Sequence, residues 1–232
     1  MKVARDKNLN RIGVIVPAYQ AGRTIGEVIE SLDELGFPRC NIIVVDDGSS
    51  DKTYEVAKAS GVTVLQHQKN LGKGAALDTG YQHAIRVKLD AVVTLDADKQ
   101  HLGREIFSFL GFYAQQHPDL LLGNRMNETK DMPFIRWLTN EITSLVVSLL
   151  INRRVPDSQC GFRLLATRML QHVKTRTVHY EAESELIIRA GWLGFKIDSI
   201  PIATVYTGGQ SYINPLVDTL RFTAMALKHL WR

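Results

Sequence analysis

Short apolar runs alternate with stretches of helical period through the first half of the chain. The runs at residues 12–19, 42–46 and 91–95 are continuous and rich in β-branched residues, which is typical of strands buried on both faces of a sheet. Residues 24–36 carry apolar side chains at helical spacing and end in glycine. The same two signals predict further strands at 62–67 and 120–123, and further helices at 49–61, 73–86 and 104–116. This alternation predicts an α/β fold with a mostly parallel sheet flanked by helices.

The second half of the chain is richer in predicted helix. Apolar periodicity indicates helices at residues 133–151, 181–192 and 215–230, with a strand at 195–205 between the last two. We find no internal repeat, low-complexity tract or linker composition. The sequence therefore predicts a single domain over residues 1–232.

Composition narrows the classes of partner. The 232 residues are 45% hydrophobic and 22% charged, and the net charge of +4 is not gathered into one basic tract. This mild excess favours an anionic small substrate or a negatively charged membrane surface, and we expect no nucleic-acid partner. Cys40 and Cys160 lack zinc-ligand spacing, so we expect reduced thiols in a cytoplasmic protein.

Neither the N-terminus nor the longest apolar run indicates a membrane-spanning segment. The polar N-terminus lacks the apolar core of a signal peptide. The longest apolar run, "SLVVSLLI" at residues 144–151, is too short to cross a bilayer. We therefore expect a protein that does not span a membrane.

Polar clusters follow three of the predicted strands. They are "PAY" at residues 17–19, "DDGSSD" at 46–51 and "DADKQH" at 96–101. In parallel sheets ligands bind outside the carboxyl ends of the strands. The three clusters therefore predict one binding site at this edge of the sheet.

The third cluster contains two aspartates one residue apart. On an extended chain Asp96 and Asp98 point to the same side, and such a carboxylate pair binds Mg²⁺ or Mn²⁺ shared with substrate phosphates. Gln100 adds a carbonyl oxygen two residues further on. Two alternatives stay open: solvated turn residues that cap the next helix, and a phosphatase-like nucleophile, which we would expect on the first strand instead.

The other polar segments suit a nucleotide. Asp46 or Asp47 can accept hydrogen bonds from a nucleobase or ribose, although a turn with Asp51 at the next helix N-terminus explains the same residues. "NLGKGAAL" lacks P-loop spacing, yet its glycines, Lys73 and the following helix N-terminus suit an anion. Other cations near predicted loop ends, where an average side chain is simply solvated, are Arg125, Arg136 and Arg163.

Five motifs in register resemble those of a known enzyme family. In order, "VIVPAY", "VVDDGSSD", "NLGKGAAL", "TLDADKQH" and "DSQCGFR" resemble family-two glycosyltransferases of the GT-A fold. Within that group the chain looks most like the polyprenol-phosphate (dolichol-phosphate) mannosyl- and glucosyltransferases, over residues 12–211. The resemblance implies inverting, metal-assisted transfer of a hexose from a nucleotide-sugar, GDP-mannose or UDP-glucose, to a polyprenyl phosphate. It also implies a nucleotide-sugar-binding half over residues 12–125 and an acceptor-side half over residues 126–232.

The resemblance implies roles for residues on the donor side. Asp96 and Asp98 match the metal-bridging pair, with Asp98 as a catalytic group and Gln100 as a further metal ligand. The remaining implied contacts to the nucleotide-sugar are Pro17, Ala18, Tyr19, Asp46, Asp47, Lys73, Ala97 and Ser211.

On the acceptor side, Arg125 and Arg136 match arginines that hold the acceptor phosphate, and Asp157 and Arg163 belong to a motif implied to be catalytic. An acceptor phosphate is ionised near neutral pH and needs no strong base. The hydroxyl of a glycan or glycolipid would need one, and Asp157 is the candidate. A third hypothesis is a non-catalytic nucleotide-sugar-binding protein, which has no need of the metal pair.

The predicted helix at residues 133–151 has one apolar face. Its members are Ile135, Leu138, Ile142, Leu145, Val146, Leu149 and Leu150. Arg153 and Arg154 follow at once, which suits an interfacial helix of a peripheral enzyme on the cytoplasmic face of a membrane. A core helix packed on the sheet explains the same pattern. Both hypotheses stay open, as they do for 215–230, and the nucleobase, the sugar and the oligomeric state are not predicted.

Overall fold

The computed structural model describes residues 11–98, 105–127, 129, 132–203 and 215–230, with the side chains of 219–228 in the last of these segments. Gln100 and Ser211, which the sequence places at the site, lie outside the described residues.

The described part of the chain forms a seven-stranded sheet of order β3-β2-β1-β4-β6-β5-β7. The strands are β1 (Ile12–Ala18), β2 (Ile42–Asp46), β3 (Thr63–Gln66), β4 (Ala91–Thr94), β5 (Leu120–Asn124), β6 (Arg163–Ala166) and β7 (Ile197–Pro201). Strand β6 is antiparallel to both of its neighbours, and the other strand pairs are parallel. The predicted mostly parallel sheet is confirmed.

Helices connect the strands as the periodicity predicts. They are α1 (Ile25–Glu34), α2 (Thr53–Ala59), α3 (Lys73–Arg86), α4 (Ile106–Gln116), α5 (Phe134–Ile151), α6 (Thr167–Leu170), α7 (Glu181–Trp192) and α8 (Pro215–Leu230). Asp51 lies at the start of α2 as predicted, because its Oδ1 accepts from the backbone N–H of Thr53 at 3.0 Å. The short helix α6 was not predicted.

Strand β6 is the main departure from the predicted topology. We predicted no strand between residues 151 and 195, but Arg163–Ala166 pairs with β4 on one side and β5 on the other. All four residues are buried. Because β6 runs against its neighbours, its first residue, Arg163, lies at the edge where the parallel strands end.

Both faces of the sheet are covered, which explains the continuous apolar runs. Along β1, Val14 and Val16 pack into one core cluster with α1 and α4. Ile15 points to the opposite face and packs into a second cluster that includes residues of α3, α6 and α7. The sheet is therefore held between two packed layers.

Helix α5 is turned with its polar side inward. The buried residues of α5 include Asn140, Thr143 and Ser144. The exposed side carries its large apolar side chains, with Ile135 70% exposed and Leu149 72% exposed. The hypothesis of a core helix packed on the sheet through its apolar face is therefore wrong, because most members of that face are exposed and only Leu150 packs partly against the core.

By length and composition alone, α5 is long and apolar enough to cross a membrane, with a mean hydropathy of 1.4 over 18 residues. The prediction that the apolar run is too short was based on residues 144–151 only. In the fold the inner side of this helix is bonded to the protein, as described below.

Candidate active site

The first two strands end in a turn that is organised by Asp46. This carboxylate is fully buried, and it accepts hydrogen bonds from the backbone N–H of Ser49 at 3.1 Å and from Gln66 Nε2 at 3.1 Å. The residues implied to contact the nucleoside lie beside it: Pro17 and Ala18 end β1, and the half-exposed Tyr19 follows. An open pocket of about 330 Å³ adjoins this turn and is lined by Gly48, Ser49, Gln66, His67 and Gln68.

Asp47 points into the neighbouring glycine-rich loop. Its carboxylate accepts from the backbone N–H groups of Leu71 at 2.9 Å and Gly72 at 2.8 Å. His67 Nδ1 lies 2.6 Å from Asp47 Oδ1. The side chain is 3% exposed. Asp47 therefore fixes the loop that leads into α3, and its implied contact with the nucleoside stays a prediction.

Lys73 begins α3 and provides the positive charge that faces Asp96. Its ammonium lies 2.8 Å from Asp96 Oδ1, 3.1 Å from Glu183 Oε2 and 5.8 Å from the ring centre of Tyr180. Burial on its own would lower the pKa of Lys73, but the charges of Asp96 and Glu183 outweigh burial and raise it. The lysine is therefore protonated at neutral pH.

The DAD segment is less extended than the sequence argument assumes. Strand β4 ends at Thr94, and Ala97 and Asp98 lie in a turn. The convergence of two side chains from one extended strand is thus not the geometry observed. Asp96 is half-buried, whereas Asp98 is exposed.

Gly161 closes the DSQCGFR loop over Asp96. A Cβ at this glycine would lie 2.5 Å from Asp96 Oδ2, so any side chain there would force the carboxylate or the loop to shift. The hydroxyl of Thr94 donates to the carbonyl oxygen of Gly161 at 2.6 Å and holds the loop against the end of β4. The two predicted halves therefore meet at Asp96.

Arg163 holds the same loop in place through hydrogen bonds to its backbone. Its guanidinium donates to the carbonyl oxygens of Cys160 at 2.7 Å, Ser158 at 2.9 Å and Glu183 at 2.8 Å. The side chain is 1% exposed. This geometry gives Arg163 a positioning role, and direct catalysis by it stays a prediction.

Asp157 forms a fully buried ion pair with Arg125. Arg125 Nε donates to Asp157 Oδ2 at 2.8 Å and Nη2 donates to Oδ1 at 2.9 Å. Asn140 of α5 adds a third side-chain bond to Oδ1 at 2.9 Å. Burial on its own would raise the pKa of Asp157, but Arg125 outweighs it and holds the pKa below its ordinary value.

Residues 13–190 match the model of the glycosyl transferase family 2. The chain belongs to this family. The glycosyltransferase is 31% identical over 218 residues to the UDP-N-acetylglucosamine–dolichyl-phosphate N-acetylglucosaminyltransferase of Methanococcus voltae, which covers 84% of this chain and 86% of the relative. It is 26% identical over 205 residues to the dolichyl-phosphate hexose transferase of Haloferax volcanii, covering 88% and 87%. These relatives place the glycosyltransferase in the polyprenol-phosphate branch.

The fold of this glycosyltransferase matches that of a solved enzyme. Glucosyl-3-phosphoglycerate synthase from Mycobacterium tuberculosis, in a complex with Mn²⁺, UDP and phosphoglyceric acid, superposes with a TM-score of 0.71. The match covers 94% of this chain and 76% of that chain at 21% identity. The predicted GT-A fold is thereby confirmed.

The acidic residues present fit a divalent cation that is shared with a substrate. Among the residues described by the structure, no group of three His, Cys, Asp or Glu side chains is arranged to hold a metal. Mg²⁺, however, is commonly held by one or two carboxylates and completed by phosphate oxygens. The half-buried Asp96 and the exposed Asp98 are the carboxylates present in this segment, so a metal held by them stays a prediction, and Gln100 lies outside the described residues.

Arg136 lies in the first turn of α5, four residues before Asn140 and on the same side of the helix. It is half-buried, and its implied contact with the acceptor phosphate stays a prediction. The other implied phosphate ligand, Arg125, already gives two nitrogen atoms to Asp157.

Sequence reasoning missed three residues that build the site of this glycosyltransferase. Glu183 forms ion pairs with both Lys73 and Arg163. No pattern in "EAESE" distinguishes it from its neighbours. Thr94 holds Gly161 although it reads as an ordinary strand residue. Asn140 did leave a signal, because it stands with Ser144 at a spacing of four inside an apolar helix.

Proposed function

We propose that this glycosyltransferase transfers a sugar from a nucleoside-diphosphate sugar to a polyprenyl phosphate, with inversion at the anomeric carbon and with a divalent metal. The observation that carries the proposal is the position of Asp96. Its carboxylate lies at the end of β4 between the ammonium of Lys73 and the backbone of Gly161. A donor that reaches this carboxylate also reaches the acceptor-side loop.

The donor is proposed to occupy the ends of β1, β2 and β4. The turn that follows Asp46 borders the pocket proposed for the nucleoside, and Tyr19 is proposed to contact the nucleoside from the end of β1. Lys73 is the cation nearest to Asp96 among the contacts described above. As the sugar leaves, negative charge grows on the diphosphate. The protonated Lys73, at the N-terminus of α3, is placed to stabilise that charge.

Asp96 and Asp98 would hold Mg²⁺ or Mn²⁺ beside the diphosphate. The ion would act as a Lewis acid towards the leaving group. Because Lys73 contacts Asp96 at 2.8 Å, the carboxylate is oriented and its charge balanced by the protein itself.

The acceptor is proposed to be a phosphate rather than a hydroxyl. A hydroxyl acceptor needs a base, and Asp157 is the candidate that the sequence offers. Its carboxylate has no exposed surface, it is bonded by Arg125 and Asn140, and its pKa is lowered. A phosphate, ionised near neutral pH, reacts without such a base. The names of both relatives, which specify dolichyl phosphate, support the same acceptor class.

The sugar is the least constrained part of the proposal. The sequence resemblance implies a hexose from GDP-mannose or UDP-glucose, and the relative from M. voltae is named for transfer of N-acetylglucosamine from a UDP donor. We propose a UDP- or GDP-linked hexose or N-acetylhexosamine. The donor-binding half is proposed at residues 12–125 and the acceptor-side half at 126–232.

The test is transfer of label into lipid. The purified protein is incubated with labelled UDP-glucose, UDP-N-acetylglucosamine or GDP-mannose, Mg²⁺ and a polyprenyl phosphate. We expect label in the solvent-extractable lipid with one donor, loss of transfer with a chelator, and a β-linked product from an α-linked donor by NMR. Asp98→Asn should lose transfer, while Asp90→Asn, at the opposite end of β4, should keep it. Transfer that persists in the chelator contradicts the metal requirement, and label that never enters lipid contradicts the acceptor.

A further inference from the structure

Each of the two carboxylate oxygens of Asp96 has a close neighbour. The ammonium of Lys73 lies 2.8 Å from Oδ1, and the loop at Gly161 approaches Oδ2 so closely that a Cβ there would be 2.5 Å away. A divalent cation that binds Asp96 therefore meets the ammonium, and two positive charges at such short range repel each other strongly. The proposed metal and Lys73 thus compete for one carboxylate.

The ammonium of Lys73 has a second carboxylate partner at nearly the same distance. Glu183 Oε2 lies 3.1 Å from Lys73 Nζ, and the ring centre of Tyr180 lies 5.8 Å from it. The side chain of Glu183 is 8% exposed, against 26% for that of Asp96. Water and salt screen the attraction between Lys73 and Glu183 less, because this pair is more deeply buried. Lys73 can therefore leave Asp96 and still remain paired.

Backbone contacts fix the position of Glu183 relative to Lys73. The carbonyl oxygen of Glu183 accepts from Arg163 Nη1 at 2.8 Å. The first turns of α7 and α3 touch, since a Cβ at Gly74 would lie 2.4 Å from the Cβ of Ala182. These contacts do not involve Asp96. A cation that binds Asp96 therefore leaves the carboxylate of Glu183 in place.

We propose that Glu183 is a positioning residue for Lys73, which keeps the ammonium beside the donor diphosphate when a divalent cation binds Asp96. This inference rests on the proposed function, because it requires that Asp96 binds the metal. In the metal-free protein Lys73 balances the charge of Asp96 through the contact at 2.8 Å. When metal and donor bind, Lys73 exchanges Asp96 for the charge that develops on the leaving group, and it keeps Glu183. The exchange transfers no proton.

Binding of Mn²⁺ in the absence of any donor tests this role directly. The full chain is titrated with Mn²⁺, and the free ion is followed by its EPR signal. Lys73→Met removes the competing charge, so we expect Mn²⁺ to bind about tenfold more tightly. Glu183→Gln leaves Lys73 with Asp96 as the charged one of these two partners, so Mn²⁺ should bind about tenfold more weakly. Glu34→Gln, exposed at the end of α1, is the matched control and should bind Mn²⁺ as the wild type does.

A double variant separates this role from a direct effect of charge. Glu183 is itself negative, so its loss would on its own weaken Mn²⁺ binding without any part for Lys73. If Glu183 acts through the lysine, Glu183→Gln in the Lys73→Met background should change the Mn²⁺ affinity by less than about twofold. An equal loss in both backgrounds overturns the proposal. So does a Lys73→Met protein that binds Mn²⁺ no more tightly than the wild type.

The same double variant distinguishes lost positioning from misfolding of Glu183→Gln. Glutamine has nearly the shape of glutamate, and the hydrogen bond from Arg163 goes to the backbone carbonyl, which the substitution retains. A misfolded Glu183→Gln protein would not regain Mn²⁺ binding through a second substitution. Tight binding by the double variant therefore shows that the site is intact and that only the position of Lys73 has changed.

Transfer measurements separate this inference from the proposed function. In Glu183→Gln the Mn²⁺ concentration for half-maximal transfer should rise about tenfold. A purely structural defect would instead lower the rate by the same factor at every Mn²⁺ concentration, which would overturn the proposal. If Mn²⁺ binding follows the expected pattern but no donor and acceptor give transfer, the proposed reaction fails and the role of Glu183 stands. If sugar enters lipid while Glu183→Gln binds Mn²⁺ as the wild type does, the reaction stands and this inference fails.

Discussion

Two carboxylate–cation pairs lie at the edge where the parallel strands end, and they differ in their access to water. The side chains of Asp96 and Lys73 are 26% and 18% exposed, and Lys73 is shared with Glu183. Those of Asp157 and Arg125 are 0% and 5% exposed, and they meet through two parallel hydrogen bonds. We call Asp96 and Lys73 the open pair, because a ligand can reach it. We call Asp157 and Arg125 the closed pair, because it is buried.

Exposure to water therefore distinguishes the ion pair that can bind a ligand from the ion pair that supports the fold at this site. A partly exposed carboxylate that faces a lysine is accessible to a new cation. A buried bidentate pair is not, because removal of one partner leaves the other charge without solvent. The sequence motifs alone rank Asp96 and Asp157 equally. Four substitutions or conditions test the distinction drawn by the structure.

The largest effect is expected at the closed pair. Asp157→Asn leaves the Arg125 guanidinium buried without its counter-charge, and we expect a loss of about 3–5 kcal/mol in the free energy of unfolding. Urea denaturation at neutral pH measures this loss. The double variant Asp157→Asn with Arg125→Met should recover much of it, because the unpaired charge is then absent. A stable Asp157→Asn protein that has lost turnover would instead support the hydroxyl-acceptor hypothesis, with Asp157 as base.

Substitution of Asp96 in the open pair should mainly lower the rate of transfer. Asp96→Asn keeps the shape of the side chain and removes its charge, so we expect transfer to fall about a hundredfold or more. The free energy of unfolding should change by only about 1 kcal/mol, since the side chain is partly exposed. Asp90→Asn, which breaks an exposed pair with Arg11 at the other end of β4, is the control and should change neither. Normal transfer by Asp96→Asn would remove this residue from the site.

A smaller effect tests how closely the loop must approach the open pair. Gly161→Ala places a Cβ 2.5 Å from Asp96 Oδ2, so either the loop or the carboxylate must shift. We expect transfer to fall about tenfold. Gly111→Ala in α4 meets nothing within 4 Å and should slightly raise the unfolding midpoint with no change in transfer. Equal activity of the two variants would show that the loop has room to move.

The smallest effect is expected in acid. The pKa of Asp157 is lowered in the folded protein, so its contribution to stability is present above its ordinary value of 3.8 and is lost as pH falls through the folded value. The difference in unfolding free energy between the wild type and Asp157→Asn should thus be constant above about pH 5 and shrink below 3.8. Denaturation curves between pH 2.5 and 7, in steps of about half a unit, measure it. A difference that grows in acid would contradict the lowered pKa.

Local pattern was sufficient for most of the fold. Strand β1 and helix α1 were predicted because burial on two faces and amphipathic packing each leave a period in the sequence. Strand β6 left no such signal, since four residues are too few to show a period and its position is decided by β4 and β5. The antiparallel position of β6 between β4 and β5 is therefore set by tertiary strand pairing.

The site was predictable in its location but not in its contacts. The clusters around Asp46 and Asp96 follow strands whose carboxyl ends must lie together in a parallel sheet. The pairing of Asp157 with Arg125 joins residues from different elements, and no spacing encodes it. The role of Glu183 depends likewise on the packing of α7 against α3. Sequence motifs therefore named candidate residues without distinguishing those that are closed off from water.

The position of β6 also has a consequence for the order in which the protein is made. Among the described strands, β5 pairs with β6 and β7, both of which follow it in the chain. Until residue 166 has left the ribosome, β5 has no neighbour and one edge of β4 is bare. Unpaired edges of this kind invite association with other chains. A fragment that ends at residue 125 should therefore aggregate rather than fold, even though it contains the whole of the predicted nucleotide-sugar-binding half.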